Sequence, residues 1–199
     1  MDKSAKQGNI IIVSAPSGAG KTSICSQIIK SDKNTLYCIS YTTRSPRKGE
    51  KDGREYFFTD EIKFKKMIKN SEFAEWAKVH SNYYGTPKSF LDKTLKTGKN
   101  ALLDIDVQGG VKIKKQYPQA CMIFVMTPDL KTLEKRLTLR NKDSKETIKM
   151  RMDNAKKELA YLNKYDYLII NDDLENSVEN VKTVIKSLYY KVRKDKKYF

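Results

Sequence analysis

The sequence predicts an α/β fold in which a parallel sheet is flanked by helices, with a small mixed α+β lobe inserted into it. Three observations carry that prediction. Apolar runs of buried-strand length recur at 9–13, 100–106, 120–126 and 167–170. Each is followed by a stretch with helical apolar spacing, and strands that alternate with helices imply parallel crossovers. Between the first two runs, about residues 36–90 break that alternation with shorter strands around a single amphipathic helix. A chain of 199 residues buries one good core. The expectation is therefore a single domain, 1–199, with its core in 1–35 and 98–199 and the lobe at 36–90.

The first strand, Asn9 to Val13, carries four consecutive β-branched apolar residues and runs into Ser14, Ala15, Pro16, Ser17, Gly18, Ala19, Gly20, Lys21 and Thr22. These are the residues phosphate requires. Gly18 and Gly20 let the backbone turn its amides toward one anion, the start of the next helix adds partial positive charge, Lys21 adds a full one, and Thr22 offers a hydroxyl to Mg²⁺. Ala15 stands where such loops usually begin with glycine. A nucleoside triphosphate, with magnesium, is the expected ligand, and the sheet is expected to be of the P-loop NTPase type. Ile24, Cys25, Ile28 and Ile29 then continue at helical spacing.

A second strand is expected at Thr35–Ser40, followed by an extended loop from Tyr41 to Glu50, where Pro46 disfavours helix at Ser45. Short strands are predicted around Glu55–Phe58 and Phe73–Val79. The helix between them should bury Ile62, Phe64, Met67 and Ile68, and Trp76 is expected in the core. After the 120–126 strand, Thr127 and Pro128 are expected to cap and start a helix with Leu130, Leu133 and Leu137 on its apolar face. Arg136 and Arg140, four apart, share a face of it. A polar break at 141–146 follows, in which Asp143 to Glu146 has the form of a capping box opening the helix that carries Arg151. This is the composition of a hinged helical lid, at about 136–151.

At the end of the 100–106 run, Asp104 and Asp106 are two apart, so on a strand both point to one face. Ligands in open α/β sheets bind beyond the carboxyl ends of strands. Asp104 is therefore the candidate, with Thr22, for the magnesium shell, and Asp106 reaches further out.

The formal charge of +16 raises nucleic-acid binding, but the lysines are spread along the chain among acids, and only the tail 191–197 forms a basic cluster. No specific nucleic-acid partner is expected. Arginine is more selective: it supplies seven of the 40 basic residues, and five of the seven fall in the 44–54 and 136–140 clusters, where a planar donor fork suits phosphate. Cys25, Cys38 and Cys121 are odd in number and sit in apolar contexts, as reduced packed thiols do; His80 is the single histidine, which excludes a histidine-based metal site. With no apolar run long enough to span a bilayer and no apolar leader after Met1, the expected location is the cytoplasm, with no membrane partner. The sequence is compatible with both a monomer and a homo-oligomer.

Taken in order, the segments 14–22, 40–50 with Gly53 and Tyr56, 72–77 with 82–86, and 103–109, followed by the arginine-rich stretch and by Asn171–Asp173, resemble the guanylate kinase family over most of the chain. The resemblance implies ATP and Mg²⁺ as donor and cofactor and GMP as acceptor, bound in the 36–90 lobe. It implies Ser40, Glu75 and Asp106 at the guanine base, and Arg44, Arg47, Tyr56, Tyr84 and Thr86 at its phosphate. It further implies that Arg136, Arg140 and Arg151 close over the transferred group, and that Asn171 lies near the ATP base. Thr86, where the family often has serine, also reads as a helix N-cap because it precedes Pro87. The alternatives are a kinase of another small phosphorylated acceptor on the same scaffold, a protein-binding module that has lost catalysis, and a nucleic-acid binder. Lys21, Thr22 and Asp104 argue against the second.

Overall fold

The computed structural model describes residues 8–79, 81–139 and 144–192. Five strands build a parallel sheet in the order β2-β7-β1-β8-β9: β1 (Ile10–Ser14), β2 (Thr35–Tyr37), β7 (Asn100–Asp104), β8 (Cys121–Met126) and β9 (Tyr167–Ile170). A second, four-stranded sheet in the order β4-β3-β6-β5 is formed by β3 (Tyr41–Thr42), β4 (Phe57–Phe58), β5 (Phe73–Val79) and β6 (Asn82–Pro87). The helices are α1 (Lys21–Ser31), α2 (Glu61–Lys69), α3 (Lys88–Lys96), α4 (Val107–Gln116), α5 (Leu130–Leu139), α6 (Lys145–Leu159) and α7 (Leu174–Ser187).

Alternation along β1 explains why its residues are apolar throughout. Ile11 and Val13 pack with Ile24 and Ile28 of α1 and Val181 and Ile185 of α7, whereas Ile10 and Ile12 pack on the other face with Leu91 of α3 and Ile113 of α4. A sheet covered on both sides has no polar face to show. Each buried Ile contributes roughly 1.5–3 kcal/mol relative to exposure. Cys25, Cys38 and Cys121 are buried free thiols, as their apolar contexts predict.

Several local expectations change. The strand expected at Thr35–Ser40 ends at Tyr37, because β2 pairs only Thr35–Tyr37 with β7; the chain then leaves for the second sheet and Tyr41–Thr42, expected in a loop, become β3. β6 has no counterpart in the sequence reading. Ile62 is 84% exposed, since it lies about 200° round α2 from Phe64, which together with Met67 forms the buried stripe. Trp76 is 39% exposed: a bulge between Phe73 and Glu75 resets the alternation so that Glu75 and Ala77 face inward. At the sheet edge, β9 buries only Ile169. Helix α5 is started by Asp129, whose Oδ1 accepts from the Thr132 amide, not by Thr127. Helix α6 is capped by Ser144, whose hydroxyl accepts from the Thr147 amide; Asp143 lies outside the described residues.

Candidate active site

The donor loop joins β1 to α1. Gly18 and Gly20 adopt φ of 96° and 95°, and Gly20 is itself the N-cap of α1. L side chains are strained there, and a Cβ on Gly20 would also collide with the Asn171 amide. That amide donates to the Ala19 carbonyl at 2.7 Å while Asn171 Oδ1 accepts from Ser177 Oγ at 3.0 Å. Buried after β9, Asn171 thus braces the loop from behind. Lys21 Nζ lies 2.7 Å from Asp104 Oδ1. Burial pulls the ammonium down, but the charge and hydrogen bond of Asp104 outweigh it and hold Lys21 above the ordinary lysine value.

Asp104 ends β7, as expected, but Asp106 is not on the strand. It is the N-cap of α4, where its Oδ1 accepts from the amides of Gln108 at 2.8 Å and Gly109 at 3.0 Å. The two carboxylates therefore differ in role by backbone context: one meets Lys21, the other is oriented by a helix start.

Thr22 and Asp104 line a cavity of about 610 Å³ together with Arg44, Arg47, Glu50, Tyr56 and Tyr84. Next to it, Lys21, Ser40, Tyr56, Glu75, Tyr84, Asp104 and Asp106 line a second of about 220 Å³. Lys21 and the arginine loop thus open onto adjoining space, with Tyr56, Tyr84 and Asp104 shared between the two cavities. The Tyr56 and Tyr84 rings meet edge to face at 5.9 Å.

The arginine loop is organised by Glu50, which the sequence reading quoted but gave no role. Its two oxygens each accept from Arg44 Nη2 at 2.9 Å, and Oε2 also accepts from the Arg47 amide at 2.8 Å. Arg44 Nη1 donates to the Ser45 carbonyl at 2.7 Å, and its guanidinium sits 5.5 Å from the Tyr56 ring centre. Burial pushes Glu50 up, but these bonds outweigh it and hold the carboxyl below its ordinary range. A glutamate three residues after Arg47 was the available signal. Arg54 ties the loop tip by donating to the Gly49 carbonyl.

Glu75 is 7% exposed and accepts from Thr86 Oγ1 at 2.8 Å. Thr86 is therefore not a helix cap: its position in β6, opposite Glu75 in the register, turns its hydroxyl onto that carboxylate. Burial pushes the Glu75 carboxyl up to about 7; the Thr86 hydrogen bond opposes this, Asp106 adds to it, and Lys112 opposes it. Gly109 makes room, since a Cβ there would lie 3.1 Å from Glu75 Oε2.

From the lid side, α5 presses Leu137 and Leu133 onto Gly18, and Arg136 Nη2 donates to the Asp172 carbonyl at 3.3 Å. Arg151 of α6 reaches Ser17 Oγ at 3.5 Å. Both thus stand beside the donor loop. Arg140 lies outside the described residues. Among the described residues no helix is long and apolar enough to cross a membrane, and no group of three or more His, Cys, Asp or Glu is gathered to hold a metal ion.

Residues 7–188 match the family model described as guanylate kinase. The chain is 44% identical over 200 residues to a guanylate kinase of Caldanaerobacter subterraneus subsp. tengcongensis, covering 96% of this chain and 97% of the relative. It is 46% identical over 185 residues to one of Helicobacter pylori, covering 93% and 90%. The crystal structure of guanylate kinase from Anaplasma phagocytophilum superposes with a TM-score of 0.79 at 29% identity, covering 94% of this chain and 89% of that one.

Proposed function

This chain belongs to the guanylate kinase family and transfers the γ-phosphoryl group of ATP to GMP, giving ADP and GDP, and we propose that the two adjoining cavities divide the work of that transfer. The observation that carries this reading is their adjacency: Lys21 and Thr22 after the phosphate loop, the arginine pair, and Glu75 with Asp106 line two cavities that share Tyr56, Tyr84 and Asp104.

In this reading the amides of residues 15–20 and Lys21 hold the donor phosphates. Lys21 exchanges Asp104 for phosphate oxygen as ATP enters, which leaves the Asp104 carboxylate available. Thr22 and Asp104 then fit Mg²⁺. They are hard oxygen donors bordering one cavity, and Mg²⁺ is commonly held by one or two protein oxygens with phosphate and water completing the shell. Held there, the ion would supply charge neutralisation at the donor phosphates. Arg44, Arg47, Tyr56 and Tyr84 take the GMP phosphate.

Glu75 and Asp106, with Ser40 beside them and Thr86 behind Glu75, take the base. Guanine presents N1–H and its N2 amino group as adjacent donors to a carboxylate; adenine offers an acceptor at N1 and would leave a buried carboxylate unpaired, which supports discrimination of about 10⁴. No general base is required, because the acceptor phosphate has its second pKa near 6 and is already anionic at neutral pH. Catalysis is positioning and charge neutralisation, with Arg136, Arg151 and Arg140 closing over the transferred group. Residues 1–199 act as one domain, the acceptor lobe at about 36–90 and the lid at about 136–151. We place it in the cytoplasm, where its substrates and three free thiols belong.

A coupled assay of ADP formation with GMP, AMP, dTMP and ribose phosphates tests this. Turnover is expected with GMP alone at micromolar to millimolar levels, and a preference for any other acceptor would refute the assignment of the base pocket.

A further inference from the structure

The two carboxyl groups of the base pocket belong to different sheets. Asp106 caps α4, which packs on the parallel sheet through Ile113, whereas Glu75 is on β5 of the second sheet. Something must hold them at a fixed separation. Residues 106, 109 and 112 recur at three-residue intervals and so share one face of α4. Asp106 orients the helix start, Gly109 lets the Glu75 carboxyl approach the helix, and Lys112 Nζ donates to the Trp76 carbonyl at 2.6 Å with its ammonium 5.7 Å from the Trp76 ring centre. The lysine thus grips the residue directly after Glu75. Trp76 faces out to meet it because of the bulge that turns Glu75 in.

We propose that Lys112 is a positioning residue for GMP: it straps β5 to α4 and so sets the separation of Glu75 and Asp106. Its charge also favours the ionised Glu75 carboxylate that guanine requires. The groups facing Glu75 agree with this assignment. Asp106 and Lys112 come from α4, the Thr86 hydroxyl from β6, and the Cys38 thiol from the segment after β2. Lys21 and Asp104 line the same pocket, and α2 and α3 pack on this region through apolar Phe64 and Leu91. Lys112 is the cation of α4 in that set. The proposal rests on the reading of Glu75 and Asp106 as the base-binding pair.

Trp76 is the single tryptophan of the chain, so the strap has an optical signature. The test compares Lys112→Ala, Lys112→Arg and Glu75→Gln in the full chain by GMP calorimetry, steady-state kinetics and Trp76 emission. Lys112→Ala is expected to change Trp76 emission, weaken GMP binding about threefold or more, raise KM for GMP with little change in kcat or in KM for ATP, and move the acid limb of GMP use to higher pH. Lys112→Arg should restore all four. Unchanged GMP affinity and an unmoved acid limb in Lys112→Ala, even with a lower melting temperature, would reduce Lys112 to a surface contact and overturn the proposal. Glu75→Gln separates the two levels. Full GMP binding in that variant would overturn the base-pocket reading itself, whereas weakened binding there beside a normal Lys112→Ala would overturn the strap alone.

Discussion

In the proposed reading the donor loop and the acceptor pocket each take a phosphate, but they are built from different materials. The donor loop is backbone between β1 and α1, with two glycines at positive φ and Asn171 bracing them from behind. The acceptor pocket is lined by side chains that arrive from the arginine loop, β5, β6 and the start of α4. Each nonetheless parks its principal cation on an internal carboxylate: Lys21 on Asp104 at 2.7 Å, Arg44 on Glu50 at 2.9 Å. A phosphate entering either place takes over an existing ion pair, so the cation is oriented before the ligand comes and loses little freedom when it binds. The difference is in what a single substitution removes. The loop's amides remain in place when Lys21 is removed, because the glycines and Asn171 hold them; the acceptor pocket offers side chains alone.

That contrast can be broken most forcefully at Lys21. Lys21→Ala is expected to lower turnover by about 10³ or more while leaving the far-ultraviolet circular dichroism of the fold intact, because the loop conformation belongs to the glycines and Asn171. Near-normal turnover would mean that the amides alone suffice.

Next in size is Glu75→Gln, expected to lower kcat/KM for GMP by about 10² with KM for ATP unchanged, since a neutral amide both loses a charge-assisted acceptor and presents a donor to guanine donors. The pH profile sharpens this result. GMP requires the ionised carboxyl, whose value is pushed up to about 7, so GMP use should fall as pH drops through 7, and the Gln variant should lose that limb. Stability has the opposite sense. A carboxyl raised in the fold from its ordinary 4.5 to about 7 favours the native state below 4.5 and loses that contribution as pH rises through 7. Thermal melts should therefore show Glu75→Gln gaining on the parent above pH 7, with the gain fading toward pH 4.

The smallest of the three effects is expected at Glu50→Gln, with KM for GMP raised about fivefold to tenfold and KM for ATP left alone. Such a change frees Arg44 and Arg47 from a shared anchor without removing either. An equal loss for both nucleotides would show that Glu50 supports the whole cleft and not the acceptor side alone.

Legibility followed the same divide. The donor loop was readable residue by residue, because a strand, a glycine-rich turn, Lys21 and Thr22 are contiguous and backbone geometry depends on local sequence. The buried strands of the parallel sheet were readable for a similar reason: a sheet covered on both faces demands unbroken apolar runs. In the second sheet the strands are two to seven residues long, and a single bulge decides which side chains face in. The sequence reading therefore put Trp76 in the core and could not place Thr86 beside Glu75. The lid shows the intermediate case: its helices were expected, but their caps, Asp129 and Ser144, lie one or two residues from those the motif suggested.

What the chain's sequence determined by itself was the family, the parallel α/β core and the phosphate loop, all properties of contiguous residues whose conformation is governed by φ, ψ and apolar spacing. Tertiary structure alone decided that Asn171 braces the loop, that Thr86 meets Glu75 and that Lys112 reaches Trp76. These are contacts between residues up to 152 positions apart, and their partners are set by how the two sheets and their helices pack.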